Sequence, residues 1–224
     1  MAAPLDVCIR GSGIVGRTLA LLLARDRLRV GLVQAPSPAG GADVRAYALN
    51  QAARELLERV RAWPDAEHAT AVTGMEVHGD AGGQVRFGAT DEAVPALTWI
   101  VDVEALLARL AEAIRFQPQI ELLSAPRPAA LTIVSEGRAS TTRAEFGVQF
   151  DVSTYPQRAI AARLQTERPH GQVARQWFVG GDIIGLLPLG GPQGNSVALV
   201  WSVEEPGADE LLALPAEDFA ARLQ

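Results

Sequence analysis

The 224-residue sequence contains no lysine, and all 20 of its basic residues are arginines. The 26 acidic residues outnumber them, giving a net charge of -6 with no basic block set apart from acidic neighbours. The electrostatic footprint of a nucleic-acid partner is therefore missing. Cysteine occurs once, at Cys8, which excludes an intramolecular disulfide and fits a reducing compartment. Because Cys8 falls inside a predicted strand, it is expected to be a small buried apolar residue and not a reactive thiol. No apolar run reaches the ~18 residues of a membrane span. Asp6 and Arg10 break the apolar N-terminal stretch, so no signal peptide is expected and the reading is a cytoplasmic protein. The histidines His68, His78 and His170 lack metal-ligand spacing; they are expected on the surface or in turns, with no metal site.

Hydrophobic residues make up 48% of the chain and charged residues 21%, a balance that builds a packed core. Residues 5–9 form a short apolar run ending at glycine, which suits a buried parallel strand. Residues 14–24 read as a helix and 28–33 as a second strand, followed by a loop at Pro36, Pro38, Gly40 and Gly41. Helices are expected over 50–60 and 102–114, the latter with Val103, Leu106, Leu107 and Leu110 on one face. A hairpin is expected from 75–78 and 84–87, and a strand over 130–134. The link from Phe116 to Pro128 is short and carries three prolines. Beyond Tyr155 the texture changes. Short apolar runs at 159–164, 173–178, 183–187 and 196–203 suggest an antiparallel sheet, and a helix is expected to start within 215–223. The fold class is thus α/β, a Rossmann-like βαβ layer beside an antiparallel sheet.

The strand–turn–helix context gives meaning to Gly11-Ser12-Gly13-Ile14-Val15-Gly16. Gly11 permits the tight turn, Gly13 lets a phosphate approach the backbone, and Gly16 allows the helix to pack closely on the sheet. The helix N-terminus offers unpaired N–H groups and partial positive charge to a pyrophosphate. At the end of the second strand, where a carboxylate commonly binds the ribose, the sequence has Gln34. An amide can bond a hydroxyl, but without charge assistance. No arginine directly follows Gln34 to attract a 2'-phosphate.

Six further stretches point to one family. The run 43–50, Asp43-Val44-Arg45-Ala46-Tyr47-Ala48-Leu49-Asn50, resembles the segment after the second strand in flavin hydroxylases of the ubiquinone-biosynthesis type. Glu136-Gly137-Arg138-Ala139-Ser140-Thr141-Thr142-Arg143 resembles their Asp-Gly motif, with Glu136 in place of the usual Asp. Tyr155-Pro156-Gln157-Arg158, the Arg168-Pro169-His170 turn, Leu186-Leu187-Pro188-Leu189 and Val200-Trp201-Ser202 follow in the family's order. The resemblance covers nearly the whole chain. It implies an FAD-dependent aromatic monooxygenase with a fold like p-hydroxybenzoate hydroxylase, which uses NAD(P)H and O2 to hydroxylate an electron-rich ring.

Carried over residue by residue, the resemblance implies that Gly11, Gly13 and Gly16 cradle the pyrophosphate of FAD and that Gln34 meets the adenosine ribose. Arg45 would lie near the FAD phosphates or the flavin entry, the alternative being an ion pair with Asp43 or Glu55. Glu136, Gly137 and Arg143 would belong to the motif that contacts FAD and the incoming nicotinamide cofactor; for Glu136 a plain turn is the alternative. Leu187, Pro188 and Trp201 would line the substrate pocket, with core packing as the alternative. No catalytic residue is nominated. The implied domains are 1–72 with 96–150 for FAD and 73–95 with 151–214 for an aromatic, prenylated, ubiquinone-precursor-like substrate; 215–224 would begin a helix leading onward. Peripheral membrane or biosynthetic-complex association and a homodimer are compatible with this reading.

Two departures accompany the resemblance. The family's later Gly-Asp motif, which binds the ribityl chain, is not in this sequence, and the link after Phe116 is shorter than in relatives. The pyrophosphate end of the site is thus encoded and the isoalloxazine end largely not. This chain alone is expected to bind FAD weakly or not at all and not to hydroxylate. A non-catalytic fragment or accessory binding subunit is the alternative function, with an NAD(P)-dependent reductase behind it.

Overall fold

A computed structural model describes residues 4–34, 43–138 and 140–223. The loop expected at Pro36, Pro38, Gly40 and Gly41 lies outside the described residues. Contacts divide the chain into two compact units, residues 1–42, 51–64 and 104–152 forming the first and 43–50, 65–103 and 153–224 the second.

The first unit is built on β1 (Leu5–Arg10), α1 (Ile14–Arg25) and β2 (Val30–Val33), the βαβ element read from the sequence. It continues with α2 (Gln51–Arg59), α3 (Val103–Arg115), β8 (Ile120–Leu123), β9 (Ala129–Val134) and the short α4 (Thr142–Glu145). The strands form a parallel sheet in the order β8-β2-β1-β9. β1 sits at the centre, flanked by its crossover partner on one side and by a strand from late in the unit on the other. Cys8 and Ile9 of β1 are fully buried, as a central parallel strand requires. α1 packs on the sheet through Gly16, Ala20, Leu21 and Ala24, and α3 buries Val103, Leu106, Leu110 and Ile114. The link after Phe116 contains a strand that the sequence reading missed: β8 extends the sheet beyond β2, in register from Val30 with Ile120 to Val33 with Leu123.

The second unit contains β3 (Ala46–Leu49), β4 (Ala69–Val72), β5 (Gly74–His78), β6 (Gln84–Gly88) and β7 (Thr98–Asp102). It also holds β10 (Gln157–Gln165), β11 (Val173–Val179), β12 (Asp182–Pro188) and β13 (Ser196–Glu204), then α5 (Glu205–Leu212) and α6 (Ala216–Ala221). A six-stranded sheet runs β10-β13-β12-β11-β5-β6, antiparallel except where β11 and β5 pair in parallel. β3, β7 and β4 form a separate three-stranded sheet. Residues 43–50, 65–72 and 96–103, expected with the nucleotide-binding part, thus group with the second unit. The cause is packing: Val72 of β4 and Ile100 of β7 share a buried cluster with Ala174, Leu189 and Ala198. α5 directly follows β13 and carries Pro206 in its first turn, where the missing N–H costs nothing.

Candidate cofactor site

In the first unit the carboxyl ends of β1, β2 and β9 lie side by side, since Arg10 pairs with both Val33 and Val134. The residues that follow are therefore neighbours: Gly11 after β1, Gln34 after β2, Ser135 and Glu136 after β9. Such an edge, where the strand order reverses about the first strand, is where open parallel sheets bind ligands.

The three glycines of the turn answer to different demands. At Gly11, φ is +114°, and an added Cβ would lie 2.5 Å from the Ser135 carbonyl oxygen. At Gly16 a Cβ would lie 1.8 Å from the Gly11 carbonyl oxygen, so helix and turn touch backbone to backbone. A Cβ at Gly13 would meet nothing within 4 Å. Protein packing explains the first two, and open space lies beside the third. Gly13 is also the N-cap of α1, with no side-chain cap and no acidic residue in the first turn. The first-turn amides lack intrahelical partners, and with no acidic side chain beside them they can receive an anion. Arg17 braces the turn from within: its Nε donates to the Ser12 carbonyl at 2.7 Å and its Nη1 to that of Leu107 at 3.0 Å. Gln34 closes the edge with its N–H on the Leu123 carbonyl at 2.9 Å and its side chain exposed.

The segment after β9 folds back on itself through Glu136. Ser140 Oγ and Thr142 Oγ1 each donate to its carboxylate at 2.7 Å. These bonds, Thr142 foremost, hold the Glu136 carboxyl below the usual glutamate range, aided by the charge of Arg10 and opposed by desolvation. Gly137 has φ +74° and open space on its Cβ side, so its backbone conformation is what calls for glycine. Arg143 turns its Nη2 onto the Arg138 and Ser140 carbonyls, at 2.7 and 3.3 Å, with its guanidinium 4.1 Å from the Phe150 ring centre.

Of the residues singled out in the sequence, Gly11, Gly13, Gly16, Gln34, Glu136 and Gly137 therefore share one edge of the first unit. Arg45 belongs to the second unit, exposed, with Nε and Nη2 on the Asp43 carboxylate at 2.8 and 2.6 Å. Leu187, Pro188 and Trp201 do not form one pocket. Leu187 pairs with Ala198 and packs in the cluster with Val72 and Ile100. Trp201 pairs with Ile184, on the opposite face by strand alternation, and is buried among Leu199, Val203, Ala208 and Leu211. Its Nε1 donates to Asp182 at 3.0 Å, which completes a core position. Pro188 follows Leu187 in β12 and also takes the far face. On the Leu187 side, Ile100, Asp102, Arg163, Leu189 and Ser196 line a cavity of about 500 Å³. His170 opens a turn, as expected, with the Val173 N–H on its carbonyl at 3.1 Å, but its side chain is buried: Nδ1 accepts the Gln172 N–H at 3.0 Å, so Nε2 carries the proton and donates to the Leu189 carbonyl at 3.0 Å.

Arg10, Ser135 and Thr142 escaped the sequence reading. Ser135 Oγ donates to the Gly11 carbonyl at 3.1 Å, and Thr142 is 1% exposed. The available signal was hydroxyl spacing: Ser140 and Thr142 stand four and six places after a carboxylate, close enough to cap it.

No family model matches the chain. Over 98% of its length it is 28% identical to ubiquinone hydroxylase UbiL of Rhodospirillum rubrum, covering 56% of that protein. Over 97% it is 26% identical to the mitochondrial ubiquinone biosynthesis monooxygenase COQ6 of Drosophila melanogaster, covering 53% of it. The chain is a homologue of the ubiquinone-biosynthesis hydroxylases. It spans about half the length of the curated relatives it matches. Among solved structures, PqsL of Pseudomonas aeruginosa, a probable FAD-dependent monooxygenase, superposes with a TM-score of 0.78 at 22% identity, over 99% of this chain and 67% of that one. The fold is that of the FAD-dependent aromatic monooxygenases, as the motifs implied.

Proposed function

We propose that the chain serves FAD-dependent hydroxylation of an aromatic ring, and that its first unit holds the pyrophosphate and adenosine of FAD. The observation that carries this is the open space beside Gly13, between two glycines that the backbone itself requires. In this reading the α1 amides and Gly13 bind the pyrophosphate, Gln34 bonds the ribose, and Gly11 and Gly16 keep turn and helix in contact. Glu136 and Gly137 shape the rim, and Arg45, in the second unit, is assigned to its ion pair with Asp43. FAD, when bound, supplies the oxygen-activating redox chemistry, with NAD(P)H as the reductant. Leu187 belongs with the substrate side, whereas Pro188 and Trp201, which face away from it, are assigned to packing.

The relatives' names, a ubiquinone hydroxylase and a ubiquinone biosynthesis monooxygenase, support a prenylated phenol as substrate. So apolar a substrate would draw the protein to a membrane surface. No helix among the described residues is long and apolar enough to cross one.

Titration calorimetry with ADP, then FAD, tests the cofactor reading. Wild-type chain is expected to bind ADP, and Gly13→Val to lose that binding with little change in Tm, because the fold has room for the side chain. ADP binding that survives Gly13→Val would sink the reading. Gln34, in place of a carboxylate, favours a second reading as a non-catalytic binding subunit. NADPH oxidation stimulated by a phenol separates the two.

A further inference from the structure

Arg10 belongs to none of the motifs and enters the sequence only as a charge interrupting an apolar stretch. It is the last residue of β1, directly before Gly11, and its side chain is 19% exposed. Two carboxylates from the single segment 136–145 converge on it. Glu145 of α4 accepts Nη1 at 2.7 Å and Nη2 at 3.3 Å as a fork. Glu136 lies 3.5 Å from Nε. The near end of the same segment already touches the glycine turn: the Ser135 N–H donates to the Arg10 carbonyl at 2.7 Å, and a Cβ on Gly11 would lie 2.8 Å from the Glu136 nitrogen. Turn and segment are therefore joined at one end by backbone and at the other by the Arg10 fork, with Gly137 between.

We propose that Arg10 is a positioning residue of the cofactor site, locking the 136–145 segment onto the end of β1 and thereby fixing Gly137 relative to Gly13. This rests on the reading that the glycine turn holds a dinucleotide. Arginine suits the task because its planar fork fixes direction as well as distance, which the point charge of lysine does not. Stability is a poor explanation for the pair, since Glu145 is 56% exposed and such pairs contribute little.

The test compares wild type, E145Q, R10K and the double variant by FAD titration, Tm and amide hydrogen exchange of the cofactor-free chain. E145Q is expected to weaken FAD binding about fivefold, the equivalent of one net hydrogen bond, with Tm nearly unchanged. R10K should do the same, and the double variant should add nothing, because both changes remove one fork. Exchange at the Gly137, Ser140 and Thr142 amides should quicken equally in both single variants without FAD. If the wild-type chain takes up no FAD, this exchange result decides alone. Unchanged exchange, unchanged FAD affinity in a chain that binds it, or losses that add and track Tm would overturn the proposal. Gly13→Val tells the two failures apart. FAD binding indifferent to Gly13→Val condemns the cofactor site itself, whereas binding lost in Gly13→Val but kept in E145Q condemns only the role of Arg10.

Discussion

At the scale of single residues, the glycine turn separates what the fold requires from what a ligand requires. All three glycines look alike in the sequence, and the motif assigns them roles only by analogy with other turns. The structure distinguishes them by what a methyl group would strike. At Gly16 the obstacle is the Gly11 carbonyl oxygen, a backbone atom 1.8 Å away that no side-chain rotation can relieve. Gly16→Ala is therefore expected to destabilise by about 1–3 kcal/mol, the range for overpacking, which lowers Tm by roughly 3–10 °C in a chain of this size. Thermal unfolding followed by circular dichroism checks this, and an unchanged Tm would mean that helix and turn are not in contact. Trp201 shows the opposite limit. Its place in the family's order of motifs was legible, but which face of the sheet it takes follows from register with Ile184, a non-local pairing that no local pattern encodes.

At the scale of elements, pieces marked by a long pattern or by a turn were legible, β5 and β6 through the glycines between them, and several short strands were not. β1, α1, α2, α3 and the four strands β10 to β13 stand where their apolar runs place them, within a few residues. β3, β4, β7 and β8 are four or five residues long, too short to display a period, and owe their strand form to partners distant in sequence. The 136–145 segment is a third case. It was legible as a motif, but its internal architecture centres on a carboxylate that accepts two hydroxyl hydrogen bonds. That arrangement makes a pH prediction. The Glu136 pKa in the folded protein is depressed below its ordinary value of 4.5. Its stabilisation is thus fully present above that value and is lost as pH falls through the lower folded pKa. Glu136→Gln is expected to be less stable than wild type at pH 7 by about 1 kcal/mol, after solvent screening. The gap should close on acidification below 4.5. Urea unfolding at several pH values reads this difference, and a gap that persists unchanged in acid would contradict it.

At the scale of the whole molecule, the resemblance conveyed the fold class, but the division into units depended on packing between β3, β4, β7 and the six-stranded sheet. That division has a thermodynamic consequence. Every residue assigned to the pyrophosphate and ribose lies in the first unit. A ligand that binds only the folded state stabilises it by about 2.7 kcal/mol at a hundredfold excess over Kd. Where the added protection appears depends on how the protein opens. If the units open separately, ADP slows exchange only at amides whose opening also dissolves the site. The slowed amides should then be those of β1, β2 and β9, with those of β12 and β13 exchanging as before. If both units open only in one global event, protection should rise equally in all five strands. Hydrogen exchange with and without ADP distinguishes these outcomes, and separate opening is expected because each unit has its own sheet and its own buried cluster. Protection confined to β12 and β13 would fit neither and would move the ligand out of the glycine turn.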